Sequence, residues 1–113
     1  MSEAKPARRL RSLPREAVSG RLIPVATTVR SRLLGLSGIA RARAGDGLLI
    51  PGCRSVHTLG MRFALDVFFL GPDGAVVRAV RRVPPRRVLV CCAAAAVLEL
   101  PSQAGGEPPP RPH

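Results

Sequence analysis

The segment Leu65-Asp-Val-Phe-Phe-Leu-Gly-Pro-Asp-Gly-Ala-Val-Val-Arg-Ala-Val80 leaves this chain few folds to choose from. A β-forming run, four turn residues and a second apolar run, in that order, make a hairpin. Branched and aromatic side chains fit a pleated surface, Pro presets one turn dihedral, and Gly supplies a conformation other residues resist. Pro84 and Pro85 remove amide donors and restrict the residue before each, so the returning strand ends ahead of them. Arg78, Arg81 and Arg82 are expected on its wet side or just beyond it.

Other short runs extend the pattern. Leu22 to Ala26 reads as a strand, after which Thr27 or Thr28 can cap a helix whose Val29, Leu33 and Leu36 share a face. Gly35 and Gly38 hold that helix to about two turns. Gly47 to Ile50 is an apolar run between turn signals, as in a buried strand. Val88 to Val90 and Ala95 to Leu100 read as two more short strands or one broken strand, although the run Ala93 to Ala96 favours helix by intrinsic propensity. Glu99, between Leu98 and Leu100, is expected to face outward by alternation. Residues 1–20, with Lys5, Arg8, Arg9, Arg11 and Arg15 among two prolines, read as a disordered basic arm. Residues 102–113 read as a disordered Pro/Gly-rich tail, leaving 21–101 as a single β-rich domain.

The net charge of +11 would ordinarily suggest nucleic acid. Seventeen of the eighteen basic residues are Arg, scattered from Arg8 to Arg111, a bias that a GC-rich genome also produces. Trp and Tyr are absent, and Phe63, Phe68 and Phe69 lie in apolar runs, so no stacking platform for bases is available. Specific nucleic-acid binding is not expected. Arg, Pro and Glu interrupt every stretch from Met1 to Leu22, which leaves no signal-like apolar core, and no segment approaches the roughly 20 apolar residues that span a bilayer. The expected setting is cytoplasmic and bacterial. Three cysteines, two adjacent at Cys91 and Cys92, make no disulfide framework and fit a reducing compartment.

Cys53, His57 and Met61, four residues apart, supply a thiolate, an imidazole and a thioether, a set suited to copper or zinc. Each also has an ordinary structural use, Met61 as a gap-filler and Cys53 as a small hydrophobe. Asp66 stands inside an apolar strand and must find donors if buried, with backbone amides, Arg62 or His57 as candidates. Beside His57 and Thr58 it could floor a small polar pocket. A thiol-dependent enzyme would use Cys53, His57 and Asp66 on triad logic, but no glycine pattern for an oxyanion hole accompanies them. No residue is assigned a catalytic role and no cofactor is expected. The candidate ligand-binding set is Cys53, His57, Thr58, Met61 and Asp66.

With Gly47-Leu-Leu-Ile before it and Val97-Leu-Glu-Leu-Pro101 after it, the stretch from Cys53 to Gly74 resembles the bacterial and archaeal family called domain of unknown function 192. The resemblance covers residues 22 to 101 and implies a fold but no established activity. It implies a strand at Leu-Glu-Leu-Pro, which decides the conflict over the alanine run. In another branch of the family a Trp-Met pair replaces His57-Thr58, so a metal site there is not a shared property. Ala64 stands where the family's Pro-hydrophobic-Asp motif usually has Pro. Family members continue past the Leu-Glu-Leu-Pro strand into a further helix and strand, for which this chain has a Pro-rich run. The expected fold is therefore mainly β (α+β): a small, mostly antiparallel, incomplete barrel-like sheet with one or two short helices. An open edge near Val97 to Leu100 would favour a weak homodimer. The expected role is a non-enzymatic binding or accessory module.

Overall fold

The hairpin foreseen at 65–80 forms, and its first strand anchors the main sheet. The computed structural model describes residues 5–18 and 20–102. In chain order they form helix α1 (Arg8–Arg11), strands β1 (Arg15–Val18) and β2 (Arg21–Pro24), helix α2 (Val29–Leu34) and a 3-10 turn at Arg41–Arg43. Then follow β3 (Leu48–Pro51), β4 (Ser55–His57), β5 (Leu65–Leu70), β6 (Val76–Val83), β7 (Val88–Val90) and β8 (Ala96–Pro101). The main sheet has the order β3-β8-β5-β6, with β1-β2 and β4-β7 as two-stranded ribbons, and every pairing between strands is antiparallel. No closed barrel results. The fold is the mostly β, unclosed one expected.

Local chemistry accounts for the elements. Thr28 caps α2 through its hydroxyl, which accepts from the Ser31 amide at 3.0 Å, while the Ser31 hydroxyl accepts from the Thr28 amide in return. Gly35 ends the helix with φ +53. Of the face expected on that helix, Leu36 is fully buried but Leu33 is 67% exposed, and the Val29 side chain lies outside the description. In the 71–74 turn the Asp73 carboxylate accepts from the Ala75 amide at 3.1 Å. Residues Cys91 to Ala95 turn rather than coil into a helix, so the alanine run enters β8 as a strand.

Two expectations are overturned. The described part of the segment read as a disordered arm carries structure and buries Leu10 and Leu13: the Ala7 amide donates to the Arg43 carbonyl, Leu10 is 1% exposed, and β1 pairs with β2. A four-residue helix and a four-residue strand are too short to print a period on the sequence. Residues 1–4, 19 and 103–113 lie outside the described part, but Ser102, assigned to the tail, is buried and donates its amide to the Ala64 carbonyl. The edge expected at Val97 to Leu100 is not an edge either. Strand β8 pairs with β3 on one side and β5 on the other, so Val97, Leu98 and Glu99 are inside the sheet, and Leu100 is paired with β5 through Asp66. The sheet's outer strands are β3 and β6, and β3 is partly covered, because the Ala26 amide donates to the Leu49 carbonyl.

Both faces of this sheet are covered. Leu48, Ile50, Val67, Phe69 and Val97 join the larger core, which Leu10, Leu13 and Leu36 complete. Leu49, Leu70 and Leu98 point the other way into a second cluster with Ile23 and Val25. Gly47 controls how closely the chain enters β3 beside β8: at φ +96, a Cβ there would stand 2.2 Å from the Glu99 carbonyl oxygen. Gly47→Ala should therefore cost roughly 3 to 5 kcal/mol, overpacking and backbone strain together. Gly74→Ala, at φ +84 with nothing near its Cβ, should cost only about 1 to 2 kcal/mol. Urea unfolding of both variants checks this contrast, and equal losses would refute the close-approach argument.

Candidate functional site

Strand β8 carries the most unusual side chain of the protein. Glu99 pairs with Leu48 on one side and Val67 on the other, both fully buried, and is itself 3% exposed. Its carboxylate accepts from the Leu36 amide just past the end of α2, while Oε1 has no partner among the described residues. Burial pushes this carboxyl up from 4.5 to about 7, and the Leu36 hydrogen bond opposes that rise. Gly35 makes the approach possible, since a Cβ there would lie 3.0 Å from Oε1. The outward orientation expected of Glu99 is thus corrected. Alternation does set it opposite Leu98 and Leu100, but their side is not the only covered one.

Glu99 borders a cavity of about 30 Å³, together with Arg32, Leu33, Gly35, Ser55 and His57. That volume holds about one water-sized group. His57 Nε2 lies 3.1 Å from the Leu33 carbonyl, and since a carbonyl only accepts, Nε2 carries the proton. The Arg32 guanidinium is turned onto the Pro51 and Gly52 carbonyls.

The other candidates are placed elsewhere. Thr58 is fully buried and saturated: its hydroxyl donates to the Pro84 carbonyl and accepts from the Arg87 amide, each at 2.7 Å. It locks the end of β4 to the turn that follows β6. Met61 is 7% exposed in the larger core, which Cys53 borders, and the Cys53 thiol donates to the Ser55 carbonyl at 2.9 Å. Asp66 accepts from the Arg82 amide at 2.9 Å and the Ser102 hydroxyl at 2.7 Å, with Arg81 at 3.7 Å. Of the donors expected from sequence, a backbone amide is used, that of Arg82, and the side-chain donor is Ser102 rather than Arg62 or His57. Arg41 donates to the Ser102 carbonyl, so Asp66 is part of a clamp joining β5, β6 and the end of β8. Among the described residues no three His, Cys, Asp or Glu side chains converge as a metal site would require. Of the five sequence candidates, His57 alone lines the cavity with Glu99.

Fold and site together define a small protein of short antiparallel strands, left open as a barrel, with a buried glutamate on an inner strand of its main sheet. The chain belongs to the family DUF192, described as "Uncharacterized ACR", whose profile matches residues 15–106. Its fold is similar to the crystal structure of a protein of unknown function from Novosphingobium aromaticivorans, at a TM-score of 0.62 and 20% identity. That likeness covers 72% of this chain and 64% of the other, so the chain spans less than two thirds of that protein's length. No curated protein matches the sequence significantly. Among the described residues no helix is long and apolar enough to cross a membrane.

Glu99 sets a pH dependence whose sign is fixed. Unfolded, it loses its proton near 4.5; folded, near 7. Between those values the folded state retains a proton that the unfolded state has released, so stability falls as pH rises through this window and levels off above it. The loss is about 3 kcal/mol. Glu99→Gln should be relatively more stable than the parent at pH 8 than at pH 5, as read by urea melts; a parallel response would exclude the assignment. Asp66→Ala should cost about 1 to 3 kcal/mol, because the Arg82 amide and Ser102 hydroxyl lose their acceptor. A double-mutant cycle should show coupling of Asp66 to Ser102 and none to His57.

Proposed function

We propose that this protein is a non-enzymatic binding module whose recognition point is the cavity between α2 and β8. One observation carries the reading: Glu99 is a carboxylate almost wholly removed from water, with an oxygen left unpaired at a cavity large enough for one small group. Leaving such an acceptor unsatisfied costs free energy that a donor entering the cavity recovers. The group that fits is the ammonium end of a small amine, which offers three donors and a positive charge to an oxygen that becomes anionic near neutrality. His57 lines the same cavity and adds an imidazole to it.

The geometry favours binding over chemistry. Thr58 is consumed by the 84–87 turn, the Cys53 thiol is bonded to Ser55, and Asp66 is committed to Arg82 and Ser102. A thiol or metal enzyme built on Cys53, His57 and Asp66 would first have to dismantle those bonds. The same reading sets the module in a bacterial cytoplasm, where its three free cysteines would stay reduced.

Titration with methylammonium, followed by the NMR shifts of the Leu36 amide and the His57 ring, tests the proposal. Saturable shifts at both positions are expected at pH 8, weaker at pH 5.5 where Glu99 is protonated, and absent in Glu99→Gln. Shifts of equal size in that variant, or none in the parent, would end the reading.

A further inference from the structure

Among the described residues strand β6 is the longest and pairs on one side only, with β5. From Val76 to Arg81 its outer side meets no other strand among the described residues. Val76 and Val77 are about half exposed there, at 55% and 48%. Such a row of backbone donors and acceptors is a template for one more strand. We infer that the outer edge of β6 is the docking site for an extended, acidic segment of another protein.

The charges along this edge select the occupant. Phe68 and Phe69 are successive residues of β5 and face opposite sides of the sheet. The Arg81 guanidinium lies over the Phe68 ring at 5.2 Å and is steadied by Asp66, whereas Arg78 lies over the Phe69 ring at 5.9 Å and donates to the Val90 carbonyl at 3.1 Å. One ordered cation therefore stands on each face of the sheet beside the open edge. A strand laid along β6 would find a guanidinium available to its side chains on both faces, and Glu or Asp meets that arrangement at both.

The same charges disfavour a second copy. Two-fold pairing of β6 with β6 would bring each Arg row against its duplicate, and like charges across a strand pair are repulsive. The chain's net charge of +11 adds long-range repulsion between copies and attraction for an acidic partner. Nucleic acid would find no stacking surface here, because Phe69 is fully buried and Phe68 lies beneath Arg81. Extension of the sheet by an acidic strand uses both features at once, the backbone for affinity and the arginines for selection.

Three probes decide the matter: an eight-residue peptide alternating Val and Glu, its Val and Lys counterpart, and a single-stranded oligonucleotide. Amide hydrogen exchange on the full chain is expected to slow at residues 76–81 with the acidic peptide alone. Arg78→Glu should weaken that peptide about tenfold or more. The exchange map of the unaltered protein stands even if the variant folds poorly. Equal protection by both peptides, protection away from 76–81, protection by the oligonucleotide, or a concentration-dependent dimer protecting 76–81 would each overturn the inference.

Discussion

The double pairing of β8 is the interaction on which the rest of the structure depends. Six residues, Ala96 to Pro101, bond to β5 along their whole length and to β3 through Ala96 to Glu99. These contacts join residues far apart in sequence, so the loop-closure entropy of bringing them together must be recovered from the ladder and from what packs on it. Gly47 matters for the same reason. It is where the chain comes closest to β8, and only the absence of a side chain lets β3 begin beside Glu99.

Once β8 is central, its alternate residues fall on two faces, and both faces find a cover. Val97 and Glu99 look toward the core closed by α1 and the end of α2; Leu98 and Leu100 look toward the β1-β2 ribbon. That second cover is what the sequence concealed. Alternation correctly separates Glu99 from its leucine neighbours, but it says which residues share a face, not which face is wet. A central antiparallel strand covered on both sides behaves like a parallel one, where alternation no longer reports exposure. The available signal was the supply of apolar residues at Val18, Ile23 and Val25, more than a solvated N-terminal ribbon requires.

Much of the frame was legible because it is local. The 71–74 turn, the Thr28 cap, the Gly35 stop and the Pro84 break each arise from chemistry within a few residues. Asp66 marks the limit of that kind of reading. Its need for donors follows from one apolar strand, yet the donors are the Arg82 amide, across the hairpin, and the Ser102 hydroxyl, 36 residues away. Spacing in sequence could not select Ser102 over His57. Thr58 was found for the wrong reason: beside His57 it suggested a polar pocket, whereas full burial and two short hydrogen bonds make it a structural tie.

The edges show how one charge bias can serve two ends. An unclosed barrel must protect its outer strands, and here the two are treated differently. Strand β3 is shielded by the chain itself, through the parallel bridge of Val25 to Leu49. Among the described residues strand β6 has no such shield; it has arginines, and register shifts against β5 near each end that twist the ladder. Charge placed on an edge deters pairing with an identical edge, since both would carry the same sign. It deters nothing of opposite sign. On the docking proposed for β6, an Arg-rich composition would turn a general protection against self-association into a preference among partners, without any residue having to leave the place that packing gave it.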